Sequence, residues 1–171
     1  LDVVPGQKPT MGDWETHLTT LFPDVRLKQF LEMRGADGGP WSRICALSAL
    51  WTGIFYDGGS LDAAWDLVKD WTRAERAELC AQVPRDGLQA LAPAGSTHST
   101  VQDIAKQLME ISVAGLGARN RIGPGGNDES KYLEAIREIA DSGQTRAQMM
   151  LAEYAGAWNQ SVDPIFSISA Y

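Results

Sequence analysis

Between Val25 and Arg34 the chain reads VRLKQFLEMR, a run in which charged and apolar residues alternate. With a side-chain period of two, Arg26, Lys28, Phe30, Glu32 and Arg34 share one face of an extended strand, while Leu27, Gln29, Leu31 and Met33 share the other. Along that face residues 32 and 34 stand about 6.6 Å apart. A carboxylate at Glu32 suits a hard magnesium ion, which takes oxygen ligands and stays in contact with nucleotide phosphates. A guanidinium at Arg34 suits a substrate carboxylate, which it grips through two parallel hydrogen bonds. Arg26 and Lys28 continue the cationic track toward a transferred phosphoryl group, whose transition-state charge they would stabilise. The same alternation also describes a solvent-facing strand with cross-strand ion pairs, and on alternation alone that reading leads.

The elements that must position this run follow from its neighbours. Pro5, Gly6 and Pro9 mark an extended lead-in, residues 13–20 a short helix, and Pro23 a break. Gly35 and the cluster at 37–40 end the strand in a loop. Beyond it the apolar period becomes helical. Ile44, Leu47, Leu50, Trp51 and Ile54 predict a buried helix over 42–56, stopped by Asp57-Gly-Gly, and Leu61, Trp65, Val68 and Trp71 mark the next stripe. Thr72 with Glu75 has the form of a capping box and predicts a helix ending before Pro84, with a loop over 84–99. Thr100 caps a long helix with Val101, Ile104, Leu108 and Ile111 on its inner face. Tyr132, Leu133, Ile136 and Ile139 give another, closed by Gly143, and Thr145 with Gln148 starts a last one to about residue 158. Residues 161–166 read as irregular. The fold class is predominantly α with one or a few strands. A single strand leaves its backbone groups unpaired, so its partners lie in sequence outside these residues, in a second copy, or in a hairpin that the pattern does not mark.

Composition narrows the partners. Fifteen basic against 22 acidic residues leave a net charge of -7, which argues against a nucleic-acid partner. The longest uncharged apolar stretch, 44–56, is too short to cross a bilayer. Cys45 and Cys80 have neither metal-ligand spacing nor a disulfide framework, and reduced thiols predict a cytoplasmic setting. Position 1 is Leu rather than Met, and no basic-then-apolar leader follows it; the expectation is a fragment of a longer protein.

Residues 17–41, HLTTLFPDVRLKQFLEMRGADGGPW, resemble the glutamate–cysteine ligases of plants and proteobacteria, and the similarity continues through WDLVKDW at 65–71 and SVDPIF at 161–166. The resemblance implies a C-terminal part of a catalytic domain spanning 1–171, with a lead-in and active-site strand over 1–41 and a helical region over 42–171, built on a glutamine-synthetase-like α+β core. It implies a reaction dependent on ATP and Mg²⁺. The side-chain carboxylate of glutamate is phosphorylated, and the amine of cysteine attacks to give γ-glutamylcysteine, the first step of glutathione biosynthesis. A Glu-x-Arg strand in that superfamily supplies a metal carboxylate and a substrate arginine, which fall here on Glu32 and Arg34. The superfamily often has a basic residue two positions before the glutamate; here that residue is Phe30, so phosphate contact passes to Lys28 or Arg26. Asp37 becomes a candidate for shaping the substrate pocket. The missing N-terminal part of the same enzyme is the implied partner. The alternatives are another carboxylate–amine ligase of the superfamily, such as the ergothioneine-pathway type, or a helical binding module without catalysis. His17 lies where the helix meets the strand, whereas His98 reads as a surface residue. The glycines at 123–126 lack the Lys-Ser/Thr ending of a phosphate loop.

Overall fold

A computed structural model describes residues 5–169, which fall into two compact units divided between Gly38 and Gly39. The first unit opens with helix α1 (Met11–Thr19). Its start is a capping box: the Asp13 amide donates to Thr10 Oγ1 at 3.2 Å, and the Thr10 amide donates to Asp13 Oδ2 at 2.7 Å. None of its residues is buried.

The expected single strand is instead a hairpin. β1 (Val25–Leu27) and β2 (Leu31–Met33) pair antiparallel, with Val25 opposite Met33, Arg26 opposite Glu32 and Leu27 opposite Leu31. Residues 28–30 form the turn, closed by the Lys28 amide donating to the Phe30 carbonyl at 2.9 Å. Beyond the strands the Arg34 amide donates to the Asp24 carbonyl at 2.7 Å, which extends the pairing by one rung. The strand therefore finds its partner within the run itself. Lys28, Gln29 and Phe30 include none of the residues that usually announce a turn, so the alternation passes through them unbroken.

The second unit is helical. It comprises α2 (Trp41–Phe55), α3 (Gly58–Val68), α4 (Arg73–Asp86), α5 (Val101–Arg119), α6 (Glu134–Ser142), α7 (Arg146–Ala155) and α8 (Asp163–Ile168), with short 3-10 turns at Gly87–Gln89 and Glu129–Leu133. The boxes at Thr72/Glu75 and Thr145/Gln148 form where the sequence places them, and the expected cap Thr100 forms a third box with Asp103. Gly143 closes α6 with φ +69, and the Gln102 amide nitrogen donates to the Ala140 and Asp141 carbonyls at 2.9 and 3.1 Å, satisfying the last turn of α6 from α5.

Beyond shifts of one or two residues, such as α1 starting at Met11 rather than residue 13, three departures from the sequence reading stand out. Helix α4 runs past Pro84 to Asp86. A proline removes the amide that the carbonyl four residues earlier would accept from. That cost falls in the last turn of a helix with no buried residue, and Gly87 ends it. The last long helix stops at Ala155, short of residue 158. The tail over 161–166 is not irregular: α8 begins at Asp163 with Pro164 in its first turn, where a missing N–H is no loss.

The core of this unit lies where α2, α5 and α6 meet, around Ala49, Met109, Leu116, Leu133 and Ala140. Helices α2 and α5 approach closely enough for backbone to touch backbone. A Cβ on Gly115 would stand 1.9 Å from the Gly53 carbonyl oxygen, and one on Gly53 would stand 2.3 Å from the Ser112 carbonyl oxygen. Two buried hydroxyls find carbonyl acceptors in the same region, Ser112 Oγ on Leu50 at 3.1 Å and Ser60 Oγ on Ile111 at 3.2 Å.

Because the nearest obstacle to a Cβ on Gly115 is the main-chain carbonyl of Gly53, Gly115→Ala is expected to destabilise the fold by about 1–3 kcal/mol or more. Gly117→Ala, also within α5 but with open space around it, should be neutral or stabilising by up to about 1 kcal/mol. Urea unfolding of the two variants checks the pair. Equal stabilities would disprove the close helix contact.

Candidate functional site

The charged face of the hairpin is assembled by register. Directly opposed residues of an antiparallel pair project to the same side, and here every partner shares its parity with the residue it faces. Arg26, Glu32 and Arg34 therefore stay together on one face, although the single strand that would have grouped them does not exist. Arg26 Nε donates to Glu32 Oε2 at 2.7 Å, a short charge-assisted bond between half-buried groups. Arg34 Nη1 lies 3.9 Å from the same oxygen, beyond hydrogen-bond length. The two arginines are thus not equivalent. Arg26 is engaged by the carboxylate, whereas Arg34 stands beside it with its donors uncommitted to Glu32.

The remaining candidates separate. Lys28 sits in the turn, exposed, and acts on Glu32 through its charge. Phe30 is exposed in the same turn. Asp37 is exposed in the loop after β2, with no hydrogen bond or ion pair among the described residues. His17 packs beside the Trp14 ring on α1, centroids 5.7 Å apart. Sequence reasoning missed Phe22. Its ring lies under the Arg34 guanidinium, with the central carbon 5.0 Å from the ring centroid. The available signal was an aromatic residue placed just before the proline that leads into β1.

Glu32 is held below the usual carboxylate range, first by the hydrogen bond from Arg26 and then by the charges of Arg26, Arg34 and Lys28, with desolvation opposing. The carboxylate is therefore firmly ionised at neutral pH. Such a group suits a cation, but by itself it does not make a magnesium site. Among the described residues no three His, Cys, Asp or Glu side chains cluster, and the Glu32 carboxylate already meets two guanidiniums. Any magnesium here takes its other ligands from elsewhere.

A cleft of about 410 Å³ opens in the helical unit between Trp41, Ile44, Cys45, Ser48, Thr52 and Tyr132. Its lining is mostly apolar, and the carboxylate at its rim, Glu129, is taken by Arg119 Nε at 3.1 Å. The hairpin face remains the better chemical candidate.

Comparison with known proteins covers nearly the whole chain, hairpin and helical unit alike. The sequence profile of Glutamate-cysteine ligase family 2 (GCS2) matches residues 3–167. Chloroplastic glutamate–cysteine ligases are similar along the whole chain: 47% identical in Solanum lycopersicum, 45% in Arabidopsis thaliana and 44% in Oryza sativa subsp. indica. The chain spans only 31–33% of the length of these relatives. Their chloroplastic designation overturns the cytoplasmic setting inferred from the reduced cysteines, because thiol chemistry does not distinguish those two compartments. Both cysteines are free, Cys45 half-buried and Cys80 exposed.

The Arg26–Glu32 bond has a testable pH signature. A carboxylate with a depressed folded-state pKa contributes stability above its unfolded pKa, and that contribution is lost as pH falls through the depressed value. Acidification should therefore loosen the hairpin only below the ordinary glutamate range. In Arg26→Ala the Glu32 carboxyl resonance should titrate at higher pH than in the unaltered chain. An unshifted titration would dismiss Arg26 as the holding group.

Proposed function

This chain belongs to the glutamate–cysteine ligase family 2, and from that premise we propose that it supplies the substrate-carboxylate half of an ATP-dependent active site that makes γ-glutamylcysteine. The observation that carries the reading is the division of labour on the hairpin. One arginine is bound to Glu32 and the other, Arg34, keeps its fork of donors for an incoming carboxylate. Because the relatives are about three times longer, the remaining ligands and the nucleotide pocket belong to sequence outside this chain in the same reading. The hairpin would then extend a glutamine-synthetase-like sheet, which is supported by the exposure of Val25, Leu27 and Leu31 on its uncharged side.

In the proposed reaction an oxygen of the glutamate side-chain carboxylate attacks the terminal phosphorus of ATP, and ADP leaves. The amine of cysteine then attacks the acyl carbon, inorganic phosphate leaves with the carbon–oxygen bonding pair, and the amine gives up a proton. Arg34 holds a carboxylate of glutamate in place. Lys28 and the part of the Arg26 guanidinium not bound to Glu32 lie on the same cationic track and would offset charge on the transferred phosphoryl group. Glu32 is the candidate to add one oxygen to a magnesium ion whose other ligands lie outside the described residues. Asp37, on the exposed loop just after the hairpin, would border the substrate.

The test is Arg34→Ala in the intact ligase that carries this chain. Losing hydrogen bonds to a charged partner should raise the KM for glutamate by about ten- to a hundredfold, with an unchanged circular-dichroism spectrum. Unaltered glutamate kinetics would remove the proposed role. The isolated chain should give no ATP-dependent γ-glutamylcysteine; product from it alone would refute the half-site reading.

A further inference from the structure

We infer that Phe22 is the positioning residue for Arg34, its ring serving as the platform that holds the guanidinium ready for a substrate carboxylate. The inference rests on the proposed function of Arg34 and adds the group that orients it. Phe22 is 78% exposed, so burial does not explain a phenyl ring at this position. What the ring does touch is charge: the Arg34 guanidinium carbon lies 5.0 Å from its centroid, within cation–π range. Among the described residues Arg34 has no hydrogen-bonded carboxylate to steady it, because Glu32 Oε2 is 3.9 Å away and already accepts from Arg26 at 2.7 Å. A long side chain without such an anchor samples many rotamers, and a flat ring on one side removes most of them while leaving the in-plane donors open.

The backbone ties the two together. The Arg34 amide donates to the Asp24 carbonyl at 2.7 Å, two residues beyond Phe22. Pro23 lies between, with its own φ restricted and the preceding residue confined to extended conformations. The ring thus enters beside the rung that carries Arg34, and its approach is set before any substrate arrives. A leucine at this position would keep bulk and lose the π face. A tyrosine would keep both.

The experiment has two readouts, so that orientation and function are scored separately. In the chain, the Arg34 Nε–H resonance should be displaced upfield by the ring current, lose that displacement in Phe22→Leu and regain it in Phe22→Tyr. In the intact ligase, Phe22→Leu should raise the KM for glutamate about two- to fivefold with kcat nearly unchanged, as expected for an exposed cation–π contact, and Phe22→Tyr should restore it. If Phe22→Leu leaves KM unchanged while Arg34→Ala raises it, the role of Phe22 is overturned and that of Arg34 stands. If kcat falls with KM, or tyrosine fails to rescue, Phe22 is structural and the inference is overturned. If Arg34→Ala itself leaves KM unchanged, the proposed function falls and takes this inference with it.

Discussion

The charged face of this protein depends on the register of a six-residue antiparallel ladder closed by a three-residue turn. That register sets Arg26 opposite Glu32, and the 2.7 Å bond between them decides the character of each neighbour. Glu32 stays ionised because a guanidinium donates to it and two further cations lie nearby. Arg34, 3.9 Å from the same oxygen, has no hydrogen bond to it. A slip of one residue would turn the charged set to opposite sides of the ribbon and dissolve the arrangement. Neither arginine could then be assigned a separate task.

The helical unit relies on a different constraint, close approach of main chains. Gly53 and Gly115 let α2 and α5 come together until carbonyl oxygens meet α-carbons, and the buried hydroxyls of Ser60 and Ser112 bond to helix carbonyls in that region. Dispersion between closely packed atoms and satisfied polar groups replace the large side chains that usually fill such a crossing. Capping boxes at the starts of α4, α5 and α7 fix where the helices begin, each stabilising by about 1 kcal/mol.

Family membership gives the hairpin its context. The chain corresponds to about a third of the length of its ligase relatives, and in the proposed reading the hairpin supplies only part of what phosphoryl transfer requires. In that reading the face would offer cations to an anionic substrate and a transferred group, with the Glu32 carboxylate among them.

The sequence by itself determined the starts of α4, α5 and α7, since a Thr followed three residues later by Asp, Glu or Gln satisfies its own orphan amides locally. It also determined which side chains share a face, because a period of two survives a turn when paired residues have the same parity. It misjudged the ends at Pro84 and residues 161–166, where a proline falls at a tolerated position in the first or last turn. Only tertiary structure decided the site. In one straight strand Arg26 and Glu32 would lie about 20 Å apart, and the turn at Lys28–Phe30, unmarked by Gly, Pro, Asn or Asp, brings them to 2.7 Å. Phe22 became visible for the same reason. Its partner is twelve residues away along the chain, and local patterns carry no record of contacts made when the backbone folds back on itself.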